Sequence, residues 1–336
     1  MLTHDPGRTG HCKQLNKERI RSYMDKHESA SKSQLARELG LSFPTVGRLI
    51  DELCASGELS QQGAGSSTGG RCACLYELNP LFSLYLLVQI ESDRVCWNLK
   101  DLREHTVEQG SMPFEDLSLE QLDGLILDIH HRFPRLKAAA AGIAALVNHG
   151  VVEETGQYQG LKGMNLEEHF RSLAPIPITV GNDMNYLTMG CWRRKHPDSG
   201  SLVTLFMGGN GIGGGMVIDG RLWTGASGYC SEVSFLPIYE QLNGGSQGLP
   251  PAGNISQLYA RLIQIYAVTV NPHMVVLYRH PLLEGKIDEI RRLCVSYLPS
   301  KAIPSIELSY DYQKDYEKGL FAVAKSLEQA VSEGGS

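Results

Sequence analysis

Apolar positions in the first eighty residues recur at helical spacing in three short blocks. Ile20, Tyr23 and Met24 share one face of a segment that Asn16 can cap and that runs to about Lys26. Leu35, Ala36 and Leu39 mark a second block, opened by Ser31 as a cap and broken by Gly40. Val46, Leu49, Ile50 and Leu53 mark a third, with Pro44 suited to its first turn and Gly57 closing it. Glu58-Leu59-Ser60 and the stretch Cys74-Leu75-Tyr76-Glu77-Leu78 then read as two short strands around a Gly/Ser-rich tip that extends through Gly70.

The spacing of these blocks carries more than their existence. Ala36 is small where two helices must cross closely, and Gly40, four residues on, supplies the tight turn between them. That is the helix-turn-helix arrangement, with the strand pair as a wing, and its third helix offers its N-terminal residues to a DNA major groove. Those residues are Ser42, Phe43, Pro44, Thr45 and Arg48, joined by Ser33 at the start of the second helix. Ser42 and Thr45 suit a phosphate or a base edge, and Arg48 suits bidentate contact with guanine. Arg71, beside Gly69 and Gly70, can enter the minor groove from the wing; a solvated linker arginine is the alternative. For the whole block, the alternative is a three-helix domain that binds protein.

Farther along, one pattern occurs twice. Leu84–Ile90 is an apolar strand, followed by a polar turn at Glu91–Arg94, a strand Val95–Leu99 and Asp101-x-Arg103. About 118 residues later come an apolar strand Leu202–Met207, a glycine turn Gly208–Gly215, a strand Met216–Ile218 and Asp219-x-Arg221. Two such units predict a domain built twice on one plan, with a ligand cleft between the lobes.

Composition adds boundaries. The 336 residues are 42% hydrophobic and 20% charged, ordinary for a soluble globular protein. The longest apolar stretches, such as Leu84–Val88 and Ala138–Val147, are too short to span a bilayer, and Met1 to Gly10 is polar without a signal core. Eight scattered cysteines form no framework and read as reduced cytoplasmic thiols; Cys72-x-Cys74 has the wrong spacing for a zinc knuckle. Net charge is −6, but residues 1–80 hold ten Lys and Arg against nine Asp and Glu, leaving 21 against 28 for the remainder. A near-neutral first quarter on an acidic body suits a DNA-reading module joined to a regulatory domain.

Four motifs in order resemble the ROK family, which joins repressors of sugar catabolism to bacterial sugar kinases. Gly70-Arg71 with Tyr76-Glu77-Leu78-Asn79-Pro80 is similar to the junction of the repressor branch, and Val180-Gly181-Asn182-Asp183-Met184-Asn185 to the family's ENDxN motif. Gly209-Asn210-Gly211-Ile212-Gly213-Gly214-Gly215 resembles its phosphate loop, and Gly225–Val233 the segment ending in a sugar-binding glutamate. The resemblance implies an α/β fold: a winged helix-turn-helix followed by a two-lobed actin/hexokinase-like (ribonuclease H-like) ATPase fold. It divides the chain into residues 1–80, a first lobe 81–180, and a second lobe 181–336 whose C-terminal helix returns to the first. It also implies that Asn182, Asp183 and Glu232 bind a sugar, with Asp183 at the kinase base position. Independently of the family, Asn182-Asp183 can cap a helix after the strand Ile178–Val180.

Departures from the pattern shift the expected function. Where the kinase branch has a DxGxT loop, this chain has Gln89-Ile90-Glu91-Ser92-Asp93-Arg94, and Glu91 and Asp93 would repel a triphosphate. Phe235 stands where the family's zinc-site His would be, and Leu242–Gly248 has no Cys. No metal, cofactor or catalytic residue is therefore expected, and Phe235 is expected to fill the space of the missing zinc loop rather than stack on a sugar. The late glycine pair that would flank a nucleotide is replaced near Val275–Arg279, and Gly181 replaces the glutamate of ENDxN. The expectation is a transcriptional regulator, a repressor of carbohydrate genes. Its partners would be operator duplex DNA, a sugar or sugar-phosphate effector and a second copy of the chain. It would be cytoplasmic, nucleoid-associated when bound to DNA, and have no membrane partner. The alternatives are an active sugar kinase with an added DNA domain and a ligand-independent DNA-binding protein with a vestigial sensor.

Overall fold

The computed structural model describes residues 6–62, 74–91, 94–113, 118–154, 158–195, 200–209, 211–243, 251 and 253–334. The chain forms two units, one of residues 1–84 with 100–107 and 331–336, the other of 85–99 and 108–330.

In the first unit α1 (Pro6–Lys26), β1 (Ala30–Ser31), α2 (Lys32–Leu39), α3 (Phe43–Ala55), β2 (Leu59–Gln62) and β3 (Leu75–Leu78) follow in order. Ser31 caps α2, its Oγ accepting from the Gln34 N–H at 3.2 Å. Gly40 ends α2 at φ +63°, a left-handed conformation that favours glycine, and Leu41 N–H then donates to Ala36 O at 3.0 Å. This is the tight turn the sequence calls for. Helix α1 begins ten residues before Asn16, so Asn16 is not its cap; its Oδ1 accepts from Arg19 instead. Strand β3 lies between β1 and β2, antiparallel to both. The two-residue β1 is too short to register as a period-two pattern. The wing tip, with Gly69, Gly70, Arg71 and Cys72, lies outside the described residues.

Ile20, Met24, Leu35, Val46, Leu49, Ile50, Leu53 and Leu59 are buried together at the centre of this unit. Each is worth about 1.5–3 kcal/mol. The ion pairs over that core, Lys13 and Lys17 to Glu52 at 2.8 and 3.0 Å, lie at the solvent-screened surface and contribute little. Apolar burial sets the packing of α1 against α3, and the charges refine it.

The second unit repeats one sheet plan, as the sequence pattern predicts. Strands β4 (Leu84–Ile90), β5 (Arg94–Lys100) and β6 (Thr106–Pro113) precede α4 (Leu119–Arg132) and β7 (Leu136–Ile143). A small hairpin β8 (Leu146–Asn148) and β9 (Val151–Glu154) leads through α5 (Leu166–Leu173) to β10 (Ile178–Asn182). The order across this sheet is β10-β7-β4-β5-β6. Every residue of β4 is buried, which is why it reads as an unbroken apolar run.

Helix α6 (Asp183–Lys195) leads to the second sheet: β11 (Leu202–Gly208), β12 (Gly211–Ile218) and β13 (Arg221–Leu222). Helices α7 (Pro237–Asn243) and α8 (Ile255–Thr269) precede β14 (Met274–Tyr278), then α9 (Ile287–Tyr297) and β15 (Ser305–Ser309). Its order, β13-β12-β11-β14-β15, matches the first sheet strand for strand when that sheet is read from β6 to β10. Helices α8 and α9 bury Leu258, Tyr259, Leu262, Ile263, Ile290 and Cys294 against it. The final helix, α10 (Tyr312–Gly334), packs on the first sheet, where Phe321 meets Tyr85 edge to face at 5.1 Å. No helix of the described residues is long and apolar enough to cross a membrane.

Helices α6 and α10 cross with their backbones in contact. A Cβ on Gly190 would lie 1.7 Å from Asp315 O, and one on Gly319 would lie 1.8 Å from Tyr186 O. Beside the crossing, Asp315 is fully buried. Its carboxylate accepts from Arg194 Nε at 2.5 Å, Arg194 Nη2 at 2.9 Å and the Tyr278 hydroxyl at 2.6 Å. A buried charge so completely bonded is tolerated, and it ties α6, α10 and β14 together.

Gly190→Ala is therefore expected to destabilise the chain by about 1–3 kcal/mol or more, because the obstructing atoms are backbone that cannot rotate away. Gly124→Ala, in α4 with nothing within 4 Å of the new Cβ, should stabilise by about 0.5–1 kcal/mol. Urea midpoints of the two variants check the contrast, and equal shifts would contradict it.

Candidate functional site

Helix α3 is opened by Ser42, whose Oγ accepts from the Thr45 N–H at 3.3 Å and lies 2.8 Å from Thr45 Oγ1. The two hydroxyls brought forward for DNA contact thus also hold the helix start. Phe43, Pro44 and Arg48 are exposed beside them, and Thr45 is half-buried. Phe43 is 57% exposed, an apolar side chain kept in water at the end of a helix whose other large apolar residues are buried. Ser33 is exposed at the start of α2, its Oγ 3.0 Å from Ser31 Oγ. Five of these side chains, Ser42, Phe43, Pro44, Thr45 and Arg48, therefore lie at or near the first turn of one helix; Arg71 lies outside the described residues.

The second constellation forms where β10 passes into α6. Asn182 is the cap of that helix: its Oδ1 accepts from the Asn185 N–H at 3.2 Å and its Nδ2 donates to Ala145 O at 3.0 Å. Asp183 is the first helical residue, and its Oδ1 accepts from the Met184 N–H at 2.8 Å. The capping role open to both residues in the sequence falls to Asn182. Asp183 keeps a narrow window to solvent while protein closely surrounds its carboxyl. Desolvation lifts its pKa to about 7, the Met184 N–H pulls the other way, and the charges of Glu232 and Glu91 add to the rise. Burial also pushes the Glu232 carboxyl up. Glu232 precedes a short 3₁₀ turn, Val233–Phe235, behind Ser231 at φ +70°.

Asp183, Glu232 and Glu91 thus share one electrostatic neighbourhood, and Tyr312 and Tyr316 of α10 border it: Asp183 and Glu91 raise both phenols beyond what burial does. Sequence reasoning gives Glu91 a role only in repelling phosphate and misses the tyrosines, which read as ordinary helix positions. A buried Tyr at spacing i, i+4 on a helix is a weak signal on its own. Ser92, Asp93 and Asn210 lie outside the described residues.

Two expectations need correction. Gly211–Gly215 is strand, not a turn: β12 starts at Gly211 and pairs with β11 from Gly208↔Gly211 onward. The glycines make room. A Cβ on Gly213 would meet Met184 at 2.8 Å, one on Gly215 would meet Thr188 Oγ1 at 2.1 Å, and one on Gly214 would meet Ser231 O at 2.9 Å. Phe235 does not fill a vacated space; it is 67% exposed, 6.1 Å from the Tyr229 ring. The absent glutamate of the ENDxN-like motif also has a local reason. A Cβ on Gly181 would meet the Tyr186 hydroxyl at 2.8 Å, so a longer side chain has no room. Among the described residues no group of three His, Cys, Asp or Glu is placed to hold a metal.

The raised Asp183 pKa sets a pH dependence. Between about pH 4 and pH 7 the folded chain keeps a proton that the unfolded chain has released. The contribution is fully present below about pH 4 and declines as pH rises through 7. Asp183→Asn should flatten that decline, visible in urea midpoints at pH 5 and pH 8; equal slopes for variant and wild type would contradict the assignment. Asn182→Ala should cost about 1–2 kcal/mol at either pH through loss of the cap.

Residues 97–248 match the ROK family, and residues 18–81 match the FeoC-like transcriptional regulators. The xylose repressor of Staphylococcus xylosus is 20% identical over 241 residues, 68% of this chain and 62% of that one. The putative xylose repressor of Caldicellulosiruptor sp. (strain Rt8B.4) is 25% identical over 238 residues, 67% of this chain and 59% of that one. The chain spans about three fifths of the length of these curated relatives. A crystal structure of a ROK family transcriptional regulator, a homolog of the E. coli MLC protein, superposes with TM-score 0.61 at 16% identity, covering 93% of this chain and 98% of that one. A ROK family glucokinase from Streptomyces griseus, solved with glucose and AMPPNP, gives 0.55 at 14% identity, covering 73% of this chain and all of that one (100%). These likenesses show the fold, α/β with a helix-turn-helix region ahead of sugar-kinase-like sheets. Over residues 97–248 the chain is thus similar to the ROK family and, ahead of that, over residues 18–81, to the FeoC-like transcriptional regulators.

Proposed function

We propose that this chain is a DNA-binding repressor of carbohydrate genes whose ROK-like domain binds a sugar or sugar derivative and transfers no phosphoryl group. The observation that carries this reading is the exposed first turn of α3, with Phe43, Pro44 and Arg48 bared at the start of a well-capped helix, in a chain that is also similar to the ROK family. Phe43 suits the methyl group of thymine and Arg48 the O6/N7 edge of guanine. Curated relatives are named xylose repressors, which favours a pentose effector. The ligand would lie at Asn182, Asp183 and Glu232, where the Asp183 carboxyl, its pKa lifted to about 7, can both donate to and accept from ring hydroxyls and Glu232 offers a second buried carboxyl.

Non-enzymatic action is supported at the first hairpin. Gln89 and Glu91 occupy the place of a phosphate-binding loop, and Glu91 adds its charge to that of Asp183. A triphosphate approaching the Glu91 carboxylate, where a phosphate loop would offer backbone N–H groups, meets repulsion rather than a cradle. Repression also requires that the effector bind the DNA-competent and DNA-incompetent states unequally. Two half-sites read by two copies, in the cytoplasm, complete the reading.

Fluorescence anisotropy on a labelled operator fragment tests the DNA role. Arg48→Ala should lose about 1–3 kcal/mol at one base pair, whereas Arg71→Ala should weaken binding evenly and lower the salt slope by about one. Unchanged binding after removal of residues 1–80 would sink the assignment. For the effector, Asp183→Asn and Glu232→Gln should each weaken D-xylose-induced release roughly tenfold, with operator affinity kept in the absence of sugar. ATP-dependent phosphorylation of a sugar by the purified chain would favour the kinase reading instead.

A further inference from the structure

Among the described residues five aromatic side chains are exposed: Phe43, Trp223, Tyr229, Phe235 and Tyr310. Three of them, Trp223, Tyr229 and Phe235, stand between β13 and α7, in the segment that also carries Glu232. Apolar side chains scattered singly over a surface need no explanation, but aromatics gathered on one segment do.

Two backbone turns set Tyr229 and Phe235 on either side of that glutamate. The Glu232 N–H donates to Tyr229 O at 3.3 Å, and the Phe235 N–H donates to Glu232 O at 3.2 Å. The first turn passes through Ser231 at φ +70°. The second is the 3₁₀ turn Val233–Phe235, a geometry in which residues three apart lie one above the other. The two rings come within 6.1 Å of each other, tilted by 55°. At 45% and 67% exposure, Tyr229 and Phe235 both keep a face open to solvent.

The same segment is anchored beside Asn182. A Cβ on Gly228, next to Tyr229, would lie 3.1 Å from Val147 O of β8. Ala145, just before β8, accepts from Asn182 Nδ2 at 3.0 Å. The hairpin that Asn182 holds therefore also meets the chain that presents Tyr229, and Glu232 adds its charge to the Asp183 neighbourhood. Asp183 and Glu232 are recessed, whereas Phe235 stands in the open.

The chemistry of the stretch narrows the occupant. From Leu222 to Leu236 the one charged residue is Glu232, so nothing there attracts a phosphate or an acidic chain. A sugar ring carries hydroxyls at its edge and C–H groups on its faces; carboxyls suit the edge, and Tyr and Phe rings suit the faces. We propose that Tyr229 and Phe235 form an outer subsite, so that the effector is a glycoside of at least two sugar rings. Its terminal ring lies at Asn182, Asp183 and Glu232, and the next ring stacks on the aromatic pair. The inference rests on the reading of those three residues as the sugar site and adds the size of the ligand.

The full chain is titrated calorimetrically with D-xylose, β-1,4-xylobiose, D-glucose and cellobiose. At least one disaccharide should bind roughly tenfold more tightly than its own monosaccharide. Phe235→Ala combined with Tyr229→Ala should bring that ratio to about one, while Phe235→Trp alone keeps it. Both side chains are exposed, so their truncation should barely move the thermal melt. Equal affinity of the wild type for disaccharide and monosaccharide overturns the proposal and leaves the cleft reading standing. A disaccharide preference that survives the double variant overturns it as well. If the double variant keeps that preference but loses dimers in sedimentation velocity, the aromatic pair is an interface between copies and the outer subsite is refuted. Failure of the cleft reading looks different: Asp183→Asn and Glu232→Gln would leave every affinity as in wild type while the ratio still depended on Phe235. If none of the four sugars binds, both readings fall.

Discussion

Two helices meeting backbone to backbone at Gly190 and Gly319 set the geometry of everything around them. Helix α6 starts at Asp183, and α10 starts at Tyr312 and carries Tyr316 one turn later, so their crossing brings the acid and the two phenols into one neighbourhood. Tyr312 also stacks on Phe206 of β11 at 4.3 Å, and Thr188 of α6 shares a hydroxyl contact of 2.5 Å with Thr204 of the same strand. A crossing held by backbone contact and a fully bonded buried carboxylate has little room for gradual adjustment. Close-packed interiors respond to a push by switching between discrete arrangements rather than by deforming smoothly. Any ligand read by Asp183 acts on the first turn of one of those two helices.

The N-terminal unit obeys a different logic. Its core is small and conventional, and its distinctive feature is economy at helix starts: Ser31, buried, and Ser42, exposed, each satisfy an orphan N–H. Loss of either hydroxyl costs stability first, because such a cap is worth about 1 kcal/mol.

Legibility in the sequence followed how local each feature is. The α2 cap, the Gly40 turn, the buried face of α3 and the β4–β5 pair were readable because residues within a few positions of one another decide them. The repeated strand layout correctly implied two sheets of one plan. The apolar pattern starts α1 too late, since no strong apolar period precedes Ile20 and Asn16 reads as a cap that opens a helix. The candidate site was legible only through Asn182, Asp183 and Glu232. Tyr312 and Tyr316 come from a helix some 130 residues beyond Asp183, and nothing in a local window says that α10 passes there. The glycine run was seen but misread, because a motif that spells a flexible loop and one that spells a crowded strand share the same letters.

That misreading has a wider bearing on β12. Each of Gly213, Gly214 and Gly215 is demanded by a neighbour in its own protein, on alternating faces of the strand, and none of those neighbours is a nucleotide. Packing alone is enough to require glycine at these three positions. In β12 a glycine-rich segment is therefore first a statement about how closely α6 and the Ser231 segment approach the strand, and those contacts account for its spelling without any ligand.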